Sequence, residues 1–338
     1  MSTNEPTVSV LMPVRDGADL LTASADSISG QTLGDFEVVV VDDGSEEETR
    51  EALAEWAGRD SRVRVLRQET GGIVAALERG RAAARGPFLA RMDADDIAEP
   101  NRLAAQLELM NDRPELAGCG CRVRYFPEAA VRDGARRYEA WINSVHTSEQ
   151  ISSAMFVECP LAHPTFFLRA ETVEAVGGYA DRPWPEDYDL ILRMWKAGHA
   201  FAKVPEVLHQ WRERPDRLSR TDQRYAPEAF LACKVHYLRE TLLAGGRDVV
   251  VWGAGPVGKT LARTLLAAGT GIAAFVELDP RKIGQEIHGA PVLDPSAAVA
   301  IRGPLHLAAV GQAGARDRIL GQLRDAGLRD SEDFVPIA

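Results

Sequence analysis

Residues 36–45 read FEVVVVDDGS: four valines in a row, then two aspartates, a glycine and a serine. A β-branched run with no polar alternation predicts a strand covered on both faces, as strands of a parallel sheet are. Working outward, TVSVLMPV (7–14) is a short apolar strand, and SEEETREALAEWAGR after the valines reads as a helix with Ser45 as N-cap and acids in its first turn. RVRVLRQ (62–68) is a further strand, GIVAALERGRAAAR (72–85) a helix and PFLARMD (87–93) a fourth strand. Strands alternating with helices over short connections specify a doubly wound α/β sheet. Ligands of such sheets bind at the carboxyl ends of the strands. Arg15, Asp42, Asp43 and the acids of DADD (93–96) all fall at such ends, so they are expected to converge on one crevice.

From about 115 to 215 the alternation becomes irregular. RYEAWINSVHTSEQISSAMF (137–156) reads as one amphipathic helix, or two broken at Thr147–Ser148; LAHPTFFLR as a strand; and PEDYDLILRMWKAG (185–198) as a helix. Tyr188, Ile191, Leu192 and Trp195 give that last helix an apolar stripe. Near 246 a new pattern begins, with GRDVVVWGAGPVGKTLARTLLAAG giving strand, glycine turn and helix. IAAFVELDP and PLHLAAVG add strands and RDRILGQLRDAGL a helix. The expected division is 1–225, a helical linker over 226–246, and a small Rossmann-like α/β domain over 247–338.

A chain of 338 residues with a net charge of −11 and no Lys/Arg block is a poor partner for nucleic acid. No apolar run reaches the roughly 18 residues of a membrane span, and no amino-terminal signal pattern is visible. Four cysteines supply no disulfide framework; Cys119 and Cys121 read as buried thiols on one strand face. A soluble, cytoplasmic protein is expected.

The chemistry lies in ARMDADDIAEP (90–100). Like charges crowded at the end of a buried strand cost stability unless something positive sits among them. Two carboxylates spaced D-x-D can face one hard cation, Mg²⁺ or Mn²⁺, which completes its shell with substrate phosphates. Read alone, the same acids more often make a solvated loop in which Asp95 or Asp96 caps the next helix.

Several further stretches stand in order around it: VSVLMPVRDG, QTLGDFEVVVVDDGS, ARGPFLARMDADD, AHPTFFLR, GGY with PEDYDLILRMWKAG, and LHQWRERPDRLSR. This ordered set resembles the inverting family 2 glycosyltransferases, which have the GT-A fold, over about residues 7–220. The resemblance implies a nucleoside-diphosphate sugar donor, UDP by family expectation, and a hydroxyl acceptor. Pro13, Val14, Arg15, Asp42 and Asp43 would then flank the nucleotide; locally, Asp42 and Asp43 read equally as a strand-end turn and helix cap. Asp95 and Asp93 would hold the metal, and Arg91 and Asp96 would face the donor's sugar or phosphates. Asp187 would be the general base, where local reading makes it only the cap of its helix. Glu186, His163 and Trp184 would lie on the acceptor side. For His163 a core histidine, and for Trp184 a core tryptophan, are the structural alternatives.

Two departures from the family pattern stand out. Family members commonly carry a histidine where Arg214 stands; an arginine cannot bind a metal but can grip a diphosphate in bidentate fashion, with Arg212 beside it. Glu78 occupies a place where asparagine is usual. In the C-terminal region Gly253, Gly255 and Gly258 lie between a strand and a helix, with Glu277 and Asp279 ending the next strand. That is the context of a dinucleotide or nucleotide-sugar fingerprint, or of glycines serving tight packing alone. The region resembles the small nucleotide-sugar-binding domains attached to bacterial sugar acyltransferases. Two other functions share these features: a non-catalytic nucleotide-sugar-binding regulator, and a sugar-nucleotide pyrophosphorylase, whose glycine-rich amino-terminal loop is replaced here by PVRDG.

Overall fold

The computed structural model describes residues 5–312 and 314–338, which form two compact units. The first runs up to Ile151 and takes in Pro160–Arg182 and Glu186–Thr221; the second comprises Ser152–Cys159, Pro183–Pro185 and Asp222–Ala338.

The first unit opens with β1 (Val8–Val14), α1 (Ala18–Ser29), β2 (Phe36–Asp43), α2 (Glu47–Arg59), β3 (Val63–Gln68), α3 (Gly72–Ala83) and β4 (Phe88–Arg91). There follow β5 (Ile97–Ala98), α4 (Arg102–Asp112), β6 (Leu116–Phe126), α5 (Asp133–Ser144) and α6 (Ser148–Ala154), the last straddling the two units. Then come β7 (Phe167–Arg169), α7 (Ala170–Ala175), α8 (Glu186–Lys196), β8 (Ala200–Arg212) and α9 (Leu218–Thr221). The sheet order is β3-β2-β1-β4-β7-β6-β8-β5. β3, β2, β1 and β4 run parallel; β7 is antiparallel to both of its neighbours, and β5 to β8. All of β2 is buried, as its unbroken valines require.

Two local expectations fail. Ser45 does not cap α2: the residue before the helix is Glu46, and the Ser45 hydroxyl instead accepts the Asp16 amide. LAHPTFFLR is mostly not strand, because Pro164 has no N–H to give a ladder; His163–Thr165 is a 3₁₀ turn and only Phe167–Arg169 pairs. Residues 226–246, read as a helical linker, contain α10 (Pro227–Glu240), which belongs to the second unit.

Glu37 stitches the sheet end remote from the site. Its buried carboxylate accepts from Ser9 Oγ (2.8 Å), the Arg85 amide (2.9 Å) and Arg64 Nη1 (2.6 Å). Burial works against its charge, but the bonds from Arg85 and Arg64 outweigh it and hold the group below its ordinary 4.5. A lowered folded value means a stabilising contribution that is present above the unfolded value and lost as pH falls through the folded one. Glu37→Gln is therefore expected to cost about 1–3 kcal/mol at neutral pH, and less at acid pH, in urea melts.

After α10 the second unit contains β9 (Val249–Trp252), α11 (Pro256–Ala267), β10 (Ile272–Val276), β11 (Glu286–Ile287) and β12 (Ala290–Leu293). It ends with α12 (Pro295–Ala298), β13 (Leu305–Ala308), α13 (Ala315–Asp325) and β14 (Phe334–Pro336). Its sheet, β11-β12-β10-β9-β13-β14, is parallel except for β11. A side chain on Gly258 would put a Cβ 1.8 Å from the Gly253 carbonyl oxygen, whereas nothing lies within 4 Å of one on Gly255. Gly258→Ala should therefore force the turn and α11 apart and cost about 1–3 kcal/mol of stability, with Gly255→Ala near neutral in the same melt.

Candidate active site

A cavity of about 530 Å³ opens at the carboxyl ends of β1, β2 and β4. Pro13, Val14 and Arg15 line it from β1, Asp43 from β2, Asp93 and Asp95 from the turn after β4, and Arg214 from the loop after β8. Adjacent parallel strands bring these ends together, with Pro13 opposite Val41 and Leu11 opposite Arg91.

Asp43 is fixed by the start of α3. Its Oδ1 accepts the Gly71 amide and Gln68 Nε2, both at 2.7 Å, and its Oδ2 accepts the Gly72 amide at 2.9 Å. Gly72 has φ +83°, a left-handed conformation that glycine tolerates best. Asp42 is buried and bonds the Ser45 amide at 2.9 Å; it does not line the cavity.

One ligand oxygen from each of Asp93, Asp95 and Asp96 can be chosen so that all lie within 4.8 Å of one another. Burial and the neighbouring acids push Asp95 up to about 6. Burial, then Asp93, also raises Asp96 above the ordinary carboxylate range. Such mutual repulsion is what a divalent cation relieves, and an all-oxygen donor set suits Mg²⁺ or Mn²⁺. The residues fit the ion.

The three acids are not equivalent. Asp93 pairs with the buried Arg91, and Asp95 Oδ2 lies 3.0 Å from Arg214 Nε. Asp96 is turned away from the cavity into the protein: Oδ1 accepts the Arg212 amide (2.7 Å) and Oδ2 lies 2.8 Å from His209 Nε2. Arg102 Nη1, which can only donate, stands 3.1 Å from His209 Nδ1. Nδ1 must therefore accept, and the Nε2 proton goes to Asp96. Both Asp96 oxygens thus accept, and these bonds from His209 and the Arg212 amide favour the carboxylate against the upward push of burial and Asp93. Burial, then Arg102, keeps His209 well below its ordinary 6.5 and neutral.

Sequence reasoning assigned Asp96 and Arg212 to the donor; the structure shows both making internal contacts. Arg212 donates through Nε to the Asp95 carbonyl (2.6 Å) and stacks 4.4 Å from the Phe126 ring. His209 and Arg102 carry no expectation from the sequence motifs. The signal for His209 was its place in LHQWRERPDRLSR, next to the buried Leu208 near the end of β8. A register slip that leaves Pro205 and Glu206 unpaired between Val204 and Val207 sets His209 beside Ala98, within reach of Asp96.

Arg91 joins this corner to a second group. Burial opposes its charge, and Asp93, Tyr179 and Asp96 more than offset that. The Tyr179 hydroxyl lies 3.1 Å from His163 Nε2 and also senses Glu186 and Asp187. His163 is neutral, its value lowered by burial and then by Arg91, so its 3.6 Å approach to Glu186 is not an ion pair. Glu186 is buried, whereas Asp187, beside it in the first turn of α8, is half-buried and receives the Tyr188 amide at 2.7 Å. Neither lines the donor-side cavity. Trp184 belongs to the second unit, with its ring 5.1 Å from that of His236. Glu78 ties α3 to the glycine loop before α8, accepting the Tyr179 amide (2.6 Å) and pairing with Arg81 (3.0 Å).

In the second unit Gly253, Gly255 and Gly258 surround the start of α11. Close approach accounts for Gly253 and Gly258 but not for Gly255. Glu277 pairs with Lys282 at 2.9 Å and accepts the Leu278 amide. Among the described residues no helix is long and apolar enough to cross a membrane.

The chain is 31% identical over 196 residues to the amylovoran biosynthesis glycosyltransferase AmsE of Erwinia amylovora, covering 58% of this chain and 71% of that one. Its fold matches a mannosyltransferase of Pyrobaculum calidifontis in complex with GDP-Man and Mn²⁺ (TM-score 0.52, 20% identity, 79% and 74% of the two chains). It likewise matches residues 1–349 of S. aureus TarS in complex with UDP-GlcNAc (TM-score 0.56, 15% identity, 69% and 66%). These likenesses identify the first unit as a GT-A fold. The model of Glycosyl transferase family 2 matches residues 9–177, half of the sequence, and the chain belongs to that family.

Proposed function

We propose that the first unit transfers a sugar, with inversion, from a nucleoside-diphosphate sugar, UDP-linked in our reading, to an acceptor hydroxyl. The observation that carries this reading is the meeting of Asp93 and Asp95 with Pro13–Arg15 and Asp43 around one cavity. Pro13–Arg15 take the nucleotide, Asp43 holds the α3 turn against it, and Asp93 and Asp95 hold a divalent cation. The cation, when bound, supplies Lewis-acid stabilisation of the departing diphosphate. Arg214 adds a bidentate cation for the same phosphates.

Asp187 removes the proton of the acceptor hydroxyl. As that oxygen bonds to the anomeric carbon, the bond to the diphosphate breaks and its electron pair leaves with the nucleotide. A single displacement inverts the anomeric centre. The product should therefore show the opposite anomeric coupling to the donor in proton NMR; retention would rule this chemistry out. AmsE, named for amylovoran biosynthesis, supports bacterial polysaccharide assembly as the setting.

For the second unit we propose a nucleotide or nucleotide-sugar site at the Gly255 turn, supported by the open space there. Titrating UDP and NAD into full-length Asp95→Ala protein, with and without Gly255→Val, tests it. Binding abolished by the second change supports the site, and binding unaffected by it removes the site.

A further inference from the structure

Arg214 enters the cavity from a loop pinned on both sides of it. Buried Glu213 donates its amide to the Phe126 carbonyl (2.7 Å) and pairs with Arg217 (3.4 Å) and Arg220. The Arg217 guanidinium in turn lies 4.5 Å from the Trp211 ring. The backbone is thus held while the Arg214 side chain, 37% exposed, can swing. Its Nε reaches 3.0 Å from Asp95 Oδ2, yet the N–H is not aligned for a hydrogen bond and is buried without any other. The next carboxylate, Asp216, is 3.6 Å away. Arg214 therefore neutralises Asp95 by charge alone, a contact readily exchanged for a better one.

Two better contacts are at hand. A divalent cation takes Asp95 oxygens directly, and two like charges cannot crowd one carboxylate without cost. A diphosphate offers the guanidinium a matched bidentate fork. We propose that Arg214 is an exchange residue, which holds Asp95 in the free protein and passes to the donor's diphosphate as the cation takes Asp95. The proposal rests on the cavity being a cation–diphosphate site. It makes cation and nucleotide binding mutually dependent, since each removes what opposes the other.

The test is calorimetry on the full chain with Mn²⁺ alone, UDP alone and both together, for wild type, Arg214→Gln and Arg214→Ala. Both variants should bind Mn²⁺ alone about 5–50-fold tighter than wild type, bind UDP alone at least about 5-fold more weakly, and lose most of the coupling. A purely structural arginine would weaken every affinity on removal, and loss of a nearby charge alone would favour Mn²⁺, so the diagnostic result is the Mn²⁺ gain together with weaker UDP binding and lost coupling. Unchanged or weaker Mn²⁺ binding in the variants, with wild type still taking Mn²⁺ and UDP together, overturns the exchange but leaves the site. If no protein takes Mn²⁺ even with UDP present, both the exchange and the cation–diphosphate reading fall.

Discussion

Asp187→Asn is expected to lower turnover roughly 10²–10⁴-fold, the usual worth of a positioned general base, while the donor KM stays within about twofold. The substitution keeps the side chain's shape and its acceptor for the Tyr188 amide, so α8 should hold. What it removes is the ability to take a proton. A helix N-terminus favours the carboxylate and weakens it as a base, so the proposed role requires an acceptor hydroxyl to close against Asp187. Donor hydrolysis by water should accordingly fall less than transfer to acceptor. Full activity in Asp187→Asn, together with loss in Glu186→Gln, would move the base one residue back.

Asp96→Ala should cost about 3–5 kcal/mol of stability in the first unit, against less than about 1 kcal/mol for Asp95→Ala. Arg102 is fully buried, and among the described residues no carboxylate touches it. Its countercharge is Asp96, reached through His209. Removing Asp96 strands a buried guanidinium and frees the Arg212 amide as well. Denaturant melts of the two variants decide it, and a larger loss for Asp95→Ala would show that the buried network carries little.

What could be read from the sequence was what is local and periodic. Four consecutive valines sufficed for β2, and strand–helix alternation placed Asp43, Asp93 and Asp95 at one sheet edge. What could not be read depends on partners distant in the chain. Ser45 has the chemistry of a cap, yet its hydroxyl is taken by the Asp16 amide, 29 positions earlier. Asp96 and Asp95 are neighbours with the same side chain, and only His209, 113 positions on, turns one of them inward. Glu78 stands where the family resemblance implies asparagine, and its carboxylate is taken by the Tyr179 amide, 101 positions away. His163 was read on a strand because apolar residues surround it, but the proline beside it made a 3₁₀ turn the better local solution. Among the C-terminal glycines, spacing alone could not separate Gly258, which the packing requires, from Gly255, which it does not.

The most direct test of the central claim is release of free nucleoside diphosphate from a panel of UDP-, GDP- and dTDP-sugars with Mn²⁺ or Mg²⁺. Wild type and Asp95→Ala would be compared, with nucleotide-sugar binding measured alongside. Turnover of one donor that requires the cation and disappears in Asp95→Ala is the expected result. Release that is indifferent to both chelator and Asp95→Ala, or binding of donor to the second unit alone, would contradict it.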